Sequence, residues 1–412
     1  MKYGLIGEHL GHSFSKEVHS MLSDYEYEIT EIAPNELDGF MKKAEFNAIN
    51  VTIPYKEAVM PYLYYISDEA KAIGSVNTIV KKDGKLYGYN TDFYGMTSLI
   101  NKMHLDIKGK KTVILGTGGT AKTALAVAKS LGADPILKVS RTKKDDAIDY
   151  SELKELHKDA EVIINTTPSG MYPDNFSSPI DLDGFEKLEG VIDAIYNPIR
   201  TKLVIDALDR GIKAEGGLYM LVAQAVFASE IFLNTKYPIE KLNKIYAKIK
   251  RKKENIVLVG MPASGKTTVS NLLAKELTRE VYDTDDMVAS SREMSIPDIF
   301  ESEGEVAFRS YETQEIANIS LHNNKIIATG GGVVLKKENI DMMRQNGVIF
   351  FIDRPYEKLI PTSNRPLARD LEAIKQRYDE RYDLYRAAAD FVIDADDTPH
   401  NVAKKITGVF YK

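Results

Sequence analysis

The chain of 412 residues contains no cysteine, which removes disulfides, thiolate metal sites and cysteine nucleophiles from consideration. Basic residues are not in excess either. With 54 Lys and Arg against 60 Asp and Glu, the formal charge is -6, unlike the basic balance of a general nucleic-acid binder. Local basic pockets for phosphates stay compatible with that balance. Long apolar runs are also missing: the most apolar helix candidate, Leu218 to Leu233, is interrupted by Gln224 and Glu230 and is short for a bilayer. The opening residues, MKYGLIGEHLGHS, enter a strand-like pattern at once and lack a signal-peptide layout. These absences lead to the expectation of a cytoplasmic protein with neither membrane nor nucleic-acid partners; oligomeric state is left open. What is present is ordinary for a globular protein, 43% hydrophobic and 28% charged, and the length suggests about three domains.

The strongest local signal is IVLVGMPASGKTTVSNLLAKEL, residues 256–277. A buried strand, Ile256 to Val259, runs into Gly260 to Thr268 and then into a helical pattern. This is G-x-x-x-x-G-K-[ST] in the strand–loop–helix setting that a phosphate-binding loop requires. Glycines let backbone N–H groups curl round phosphate oxygens, and the helix N-terminus adds a positive field. Ala263, Ser264, Gly265, Lys266, Thr267 and Thr268 are the expected ATP-binding residues. Lys266 would reach the outer phosphates and Thr267 would ligate Mg²⁺.

A second glycine pattern follows the strand Lys111 to Leu115. It reads Gly116, Thr117, Gly118, Gly119, Thr120, Ala121, a dinucleotide fingerprint with alanine in the third glycine position. The next strand, Ile136 to Val139, ends in Ser140, Arg141 and Thr142, where an NAD enzyme would place an acid. A serine, an arginine and a threonine suit the 2′-phosphate of NADP instead.

The first hundred residues carry four polar clusters at strand ends or turns: His12-Ser13-Phe14-Ser15, Asn50 to Lys56, Gly74 to Thr78, and Gly88 to Asp92. Singly, each has a bland explanation as a cap or a turn. Together they offer hydroxyls, amides, one ammonium and one carboxylate to a common ligand, the inventory a small polyhydroxylated acid needs.

The motifs HSFS, NVTIPYK, GSVNT and GYNTDFYG resemble those of the shikimate dehydrogenase family, with further matches at NTTPSGM, DAIYNP and GGLYMLVAQ. The resemblance covers residues 1 to about 235. It implies that Ser13 and Ser15 hold the substrate carboxylate, that Thr52, Asn77 and Asp92 hold ring hydroxyls, and that Lys56 and Asp92 serve the reacting carbonyl. Tyr196 and Gln224 would complete the site, Ala194 and Gly217 would approach the nicotinamide, and Asp68 would also touch the cofactor. The family usually has Pro where Lys16 stands and Asn where Ser20 stands; neither position is an expected ligand.

Residues 254 to 412 are similar to shikimate kinase along their whole length. The match rests on DTDD, on Phe308-Arg309, on the triple glycine Gly330 to Gly332, and on Arg381 with Tyr385. It implies that Asp285, Arg309, Gly331 and Arg381 bind shikimate, with Asp285 as proton acceptor. Arg365, on a short lid, would bind ATP, and Asp283 would lie near Mg²⁺.

The expected architecture is therefore α/β throughout. It places a substrate domain at 1–100 and a Rossmann NADP domain at 101–236, with the last helix of the latter (217–233) packing back on the former. A helical linker at 237–253 and a P-loop kinase domain at 254–412 follow. The implied function is bifunctional: reduction of 3-dehydroshikimate with NADPH, then phosphorylation of shikimate with ATP. The alternatives are a quinate/shikimate dehydrogenase joined to another small-metabolite kinase, and a metabolite sensor that has lost catalysis.

Overall fold

Strand and helix alternate along the chain, and among the described residues the strands form three sheets. The computed structural model describes residues 1–10, 14–143, 146–359 and 371–411. It divides into two compact units. The first comprises Met1–Met171, Ser177–Asn197 and Asp206–Lys248; the second comprises Ile249–Lys412 with the segments Tyr172–Phe176 and Pro198–Ile205. The helix Ile239–Lys253, expected from its 3.6-residue periodicity, contributes residues to both.

In the first unit, β1 (Tyr3–Gly7), β2 (Tyr27–Glu31), β3 (Ala48–Val51), β4 (Tyr65–Ile66), β5 (Thr78–Lys82) and β6 (Lys85–Tyr89) stand in the order β2-β1-β3-β5-β6-β4. β5 and β6 form the hairpin that Asp83-Gly84 announces. Both turn residues have positive φ, 49° and 72°, as a two-residue turn matching strand twist requires. Ile6, Ile49 and Ile79 are fully buried in the core beneath this sheet.

The second sheet of the unit contains β7 (Thr112–Leu115), β8 (Ile136–Ser140), β9 (Ala147–Asp149), β10 (Val162–Asn165), β11 (Gly190–Asp193) and β12 (Lys213–Glu215). All are parallel, in the order β12-β11-β10-β7-β8-β9. That is the doubly wound dinucleotide-binding order, with a crevice at the carboxyl ends where the winding reverses between β7 and β10. β7, β10 and β11 are buried along their whole length, as strands covered on both faces must be. The helix Leu218–Leu233 is apolar nearly all round and packs against the helix Thr91–Lys102. A glycine permits the approach, since a Cβ on Gly95 would lie 2.7 Å from the Met220 carbonyl.

In the second unit, β13 (Asn255–Val259), β14 (Val281–Asp283), β15 (Ile326–Ala328), β16 (Gly347–Asp353) and β17 (Phe391–Asp394) form a parallel sheet ordered β14-β15-β13-β16-β17. Side chains alternate between two cores. Val257, Val259 and Ile349 face one containing Ile316, Met343 and Tyr385, while Ile256, Leu258 and Phe350 face one containing Leu273, Ile406 and Phe410. β13 is central, so the loop leaving its carboxyl end lies at the middle of the sheet's functional edge.

Candidate active sites

The first unit holds a cavity of ≈ 920 Å³, lined from the ends of β1 and β3, from the helix starting at Thr91, from the helix starting at Gly119, and from the helix Leu218–Leu233. Lys56 leaves a turn closed by the Tyr55 N–H on the Thr52 carbonyl, and its Nζ donates to Asp92 Oδ2 at 2.5 Å. Asp92 sits in the first turn of a helix capped by Asn90. The side chains of Lys56 and Asp92 are 28% and 21% exposed, sheltered enough to strengthen the pair and open enough to meet a ligand.

Asn77 lines the same cavity, and its amide has only one satisfactory orientation. The Thr91 N–H donates to Oδ1 at 2.7 Å, and the Thr78 and Thr91 hydroxyls lie at 3.1 and 3.2 Å from the same atom. Since N–H groups only donate, Nδ2 is left as the donor on the remaining side. Gln224 is held by the Leu221 carbonyl, 3.0 Å from Nε2, and by the Thr91 hydroxyl, 3.4 Å from Oε1. Thr52, Ser15, Tyr196, Ala194 and Gly217 also face the cavity. Gly217 is required there: a Cβ would sit 2.2 Å from the Ala194 carbonyl oxygen. Ser13 lies outside the described residues. Asp68 begins the helix Asp68–Ile73, is 93% exposed, pairs with Lys71 and is not on the lining.

One end of the cavity reaches Gly119 and Thr120, where the helix Gly119–Ser130 begins without a side-chain cap. Gly116 has φ +109°, and a Cβ there would lie 2.6 Å from Thr166 Oγ1. Gly118 and Gly119 have open space where a Cβ would be; Thr117 is exposed and Ala121 is buried under the helix. Free N–H groups under open space suit a pyrophosphate. Ser140 closes β8, followed by exposed Arg141 and Thr142, whose N–H donates to Ser140 Oγ at 3.3 Å.

In the second unit the loop after β13 is bent by positive φ at Gly260 (153°), Ala263 (65°) and Gly265 (95°). Lys266 Nζ donates to the carbonyls of Gly260 and Met261 at 2.8 and 2.9 Å, so the ammonium lies back over the loop. Ser264 is buried beneath it, and Thr268 is exposed. The Thr267 hydroxyl donates to Asp283 Oδ2 at 2.9 Å, while Asp283 Oδ1 accepts the Asp285 N–H at 3.1 Å.

The triple glycine gathers the rest. A Cβ on Gly330 would lie 2.5 Å from Asp285 Oδ1 and 2.6 Å from Glu312 Oε1. One on Gly332 would lie 2.1 Å from Arg309 Cζ. Arg381 Nη1 donates to the Gly331 carbonyl at 3.0 Å, and the Tyr385 hydroxyl donates to the same oxygen. Two guanidinium groups and two carboxylates thus converge on a backbone bare of side chains. Glu312, absent from the expected set, is 1% exposed and holds Arg309 Nη1 at 2.9 Å. Burial pushes its carboxyl above the ordinary range against the pull of Arg309. Its spacing, three residues after Arg309 on one helix, was the available signal. Arg365 lies outside the described residues.

The sequence pattern described as "Shikimate dehydrogenase substrate binding domain" matches residues 5–79. A protein named "Shikimate dehydrogenase (NADP(+))" from Clostridium perfringens (strain SM101 / Type A) is 41% identical over 275 residues, spanning 60% of this chain and 98% of the relative. The chain belongs to the shikimate dehydrogenase family. A second pattern, "Shikimate kinase", matches residues 262–410, so a shikimate kinase domain follows the dehydrogenase. Among solved structures, a chorismate mutase/shikimate 5-dehydrogenase fusion protein from Clostridium acetobutylicum is 38% identical. It has a TM-score of 0.57, with 60% of this chain and 96% of that one covered. Shikimate dehydrogenase 1 from Peptoclostridium difficile is 41% identical with a TM-score of 0.53, covering 61% and 98%.

Within the shikimate dehydrogenase part, the fit to a dinucleotide rests on the open glycine cradle before Ala121 and on the cation at Arg141. In the kinase domain, Thr267 and Asp283 place a hydroxyl and a carboxylate side by side at the P-loop. Two such oxygens suit Mg²⁺, which keeps waters and shares a nucleotide's phosphates rather than filling an all-protein cage. No helix among the described residues is long and apolar enough to cross a membrane.

Proposed function

We propose that the Lys56–Asp92 pair performs the proton chemistry of 3-dehydroshikimate reduction in the first unit. Asp285, aligned by the triple glycine, performs that of shikimate phosphorylation in the second. The chain is a bifunctional shikimate-pathway enzyme acting on small molecules. The observation that carries the first assignment is the Lys56–Asp92 contact inside a cavity that also reaches the glycine cradle. NADPH, when bound, supplies the hydride to the ketone carbon. Lys56 stabilises the developing alkoxide and gives it a proton, while Asp92 orients the ammonium and accepts from the neighbouring hydroxyl. Asn77 Nδ2, Thr52, Tyr196 and Gln224 position the ring, and Ser15 with Ser13 takes the carboxylate. Arg141 and Thr142 select the 2′-phosphate of NADP over NAD.

In the kinase domain, Arg309 and Arg381 hold the shikimate carboxylate, with Gly331 presenting backbone to the ring. Asp285 accepts the proton of the attacking hydroxyl. ATP supplies the γ-phosphoryl group, Lys266 and Arg365 neutralise its charge, and Thr267 with Asp283 holds Mg²⁺. The expected location is the cytoplasm, and no nucleic-acid partner is required.

The test supplies 3-dehydroshikimate, NADPH, Mg²⁺ and ATP to the full chain and follows NADPH loss and ADP formation together. Lys56→Ala should stop both, and Lys266→Ala only the second. ADP formation from added shikimate by Lys56→Ala shows an intact kinase. Continued NADPH oxidation by Lys56→Ala refutes its role.

A further inference from the structure

Two consecutive residues leave the turn after β3 toward two different helices of the dehydrogenase cavity. Lys56 reaches Asp92, and Glu57 reaches Lys122, whose Nζ donates to Glu57 Oε1 at 2.9 Å. Backbone bonds hold the turn that carries both. The Val76 N–H donates to the Lys56 carbonyl at 2.8 Å, and the Met60 N–H to the Glu57 carbonyl at 3.1 Å. Lys122 belongs to the helix Gly119–Ser130, directly after the glycine cradle, and its own N–H donates to the Gly118 carbonyl at 3.2 Å. Glu57 and Lys122 line the cavity together with Gly119 and Thr120, so the pair joins the Lys56 turn to the cradle. Its hold is weak. The two side chains, Lys122 and Glu57, are 51% and 66% exposed, and solvent screens their attraction. A cation so near the start of a helix also opposes the helix's positive end, and the first turn of this helix contains no acid to offset it.

We propose that Lys122 is a ligand of the cofactor pyrophosphate and that Glu57 holds it in reserve. In the empty cavity Glu57 takes the ammonium. When a pyrophosphate settles on the cradle, the ammonium turns to it, because a diphosphate carries more charge than one carboxylate and the helix N-terminus already favours an anion there. Lysine has three donors on a flexible stem, so the exchange needs only side-chain rotation and changes no covalent bond. The same transfer cancels the conflict between Lys122 and its own helix, since the anion stands between the cation and the free N–H groups. Glu57 opposes cofactor binding in this scheme: its pair with Lys122 must open first, and its charge then faces phosphates of the same sign.

The inference rests on the assignment of the glycine cradle and Arg141 to NADP, and the experiment separates the two. Steady-state oxidation of shikimate by NADP⁺ is measured on the full chain for wild type, Lys122→Ala, Glu57→Gln, Arg141→Ala and a charge-exchanged double variant, Glu57→Lys with Lys122→Glu. Lys122→Ala should raise KM for NADP⁺ about tenfold, the scale of one hydrogen bond to a charged group, with kcat and KM for shikimate nearly constant. Glu57→Gln should lower KM for NADP⁺ about twofold, the scale of one exposed ion pair. Charge exchange should be at least as poor as Lys122→Ala, because it sets a carboxylate beside the cradle. If Arg141→Ala raises KM for NADP⁺ and Lys122→Ala does not, the role of Lys122 is overturned and the cofactor assignment stands. If neither raises it, both fall. If Glu57→Gln raises KM and charge exchange restores it, the pair merely ties the cavity together and the proposal is overturned. A Lys122→Ala variant that loses kcat and shikimate affinity along with NADP⁺ affinity shows a merely structural lysine and also overturns it.

Discussion

Gly332→Ala isolates the role of Arg309 in the kinase domain. Gly332 has φ -106°, a conformation open to any residue, so the substitution adds a methyl group without backbone strain. The methyl carbon would start 2.1 Å from Arg309 Cζ, where ordinary contact begins at 3.4 Å. The guanidinium must therefore retreat by 3.4 − 2.1 = 1.3 Å. It is the far end of a flexible side chain and can do so. A charged group aimed at a substrate carboxylate loses much of its value when displaced by that much. A misplacement of about 1 Å is worth up to about 100-fold, or roughly 2.7 kcal/mol. The expected result is a fall in kcat/KM for shikimate of about 10- to 100-fold, with KM for ATP nearly unchanged. The assay is ADP formation against shikimate concentration, with NADP-linked shikimate oxidation by the same chain as the folding control. Unchanged kcat/KM for shikimate would refute the assignment of Arg309, because the methyl group cannot coexist with the present guanidinium position.

Gly217→Ala makes the opposite kind of clash, 2.2 Å from the Ala194 carbonyl oxygen and 2.6 Å from its carbon, both backbone. Dehydrogenase activity should fall by more than about tenfold while phosphorylation of added shikimate persists, and equal loss of both would count against a local effect. A pH dependence follows from His19, whose burial lowers its pKa from 6.5 to about 3. Between these values the unfolded chain binds a proton that the folded chain refuses, so stability falls as pH drops, by up to about 1.4 kcal/mol per unit. The urea midpoint for loss of dehydrogenase activity should decrease from pH 6.5 to 5, and His19→Gln should flatten that slope; an unchanged slope would remove His19 as its source.

The parts of both sites that are contiguous in sequence were legible there. The P-loop bends at Gly260 and Gly265, the dinucleotide glycines precede a helix as their spacing requires, and the helix Leu218–Leu233 has the limits its composition suggested. The short edge strands β4, β9 and β12 were not, since two or three residues carry no periodicity and depend on partners. By spacing alone Gln224 reads as a polar residue on a packing face, and only the family resemblance pointed to it; the structure sets the Thr91 hydroxyl and the cavity beside it. Glu57 and Lys122 stand 65 residues apart, and only the meeting of the turn after β3 with the helix Gly119–Ser130 brings them together. Glu312 was the avoidable omission.

The return of the helix Leu218–Leu233 to the helix Thr91–Lys102 also orders events during synthesis. The cavity takes Leu5 from one of the earliest strands and Gln224 from this late helix, so the dehydrogenase pocket stays unfinished until more than half of the chain has left the ribosome. Until then the groove on Thr91–Lys102 that accepts Met220 is bare, and the nascent chain carries it as exposed apolar surface. Once residue 233 emerges, that groove can close before β13 of the kinase domain has left the ribosome. A ribosome stalled with this helix just outside its exit tunnel should therefore display an oxidoreductase still waiting for its kinase.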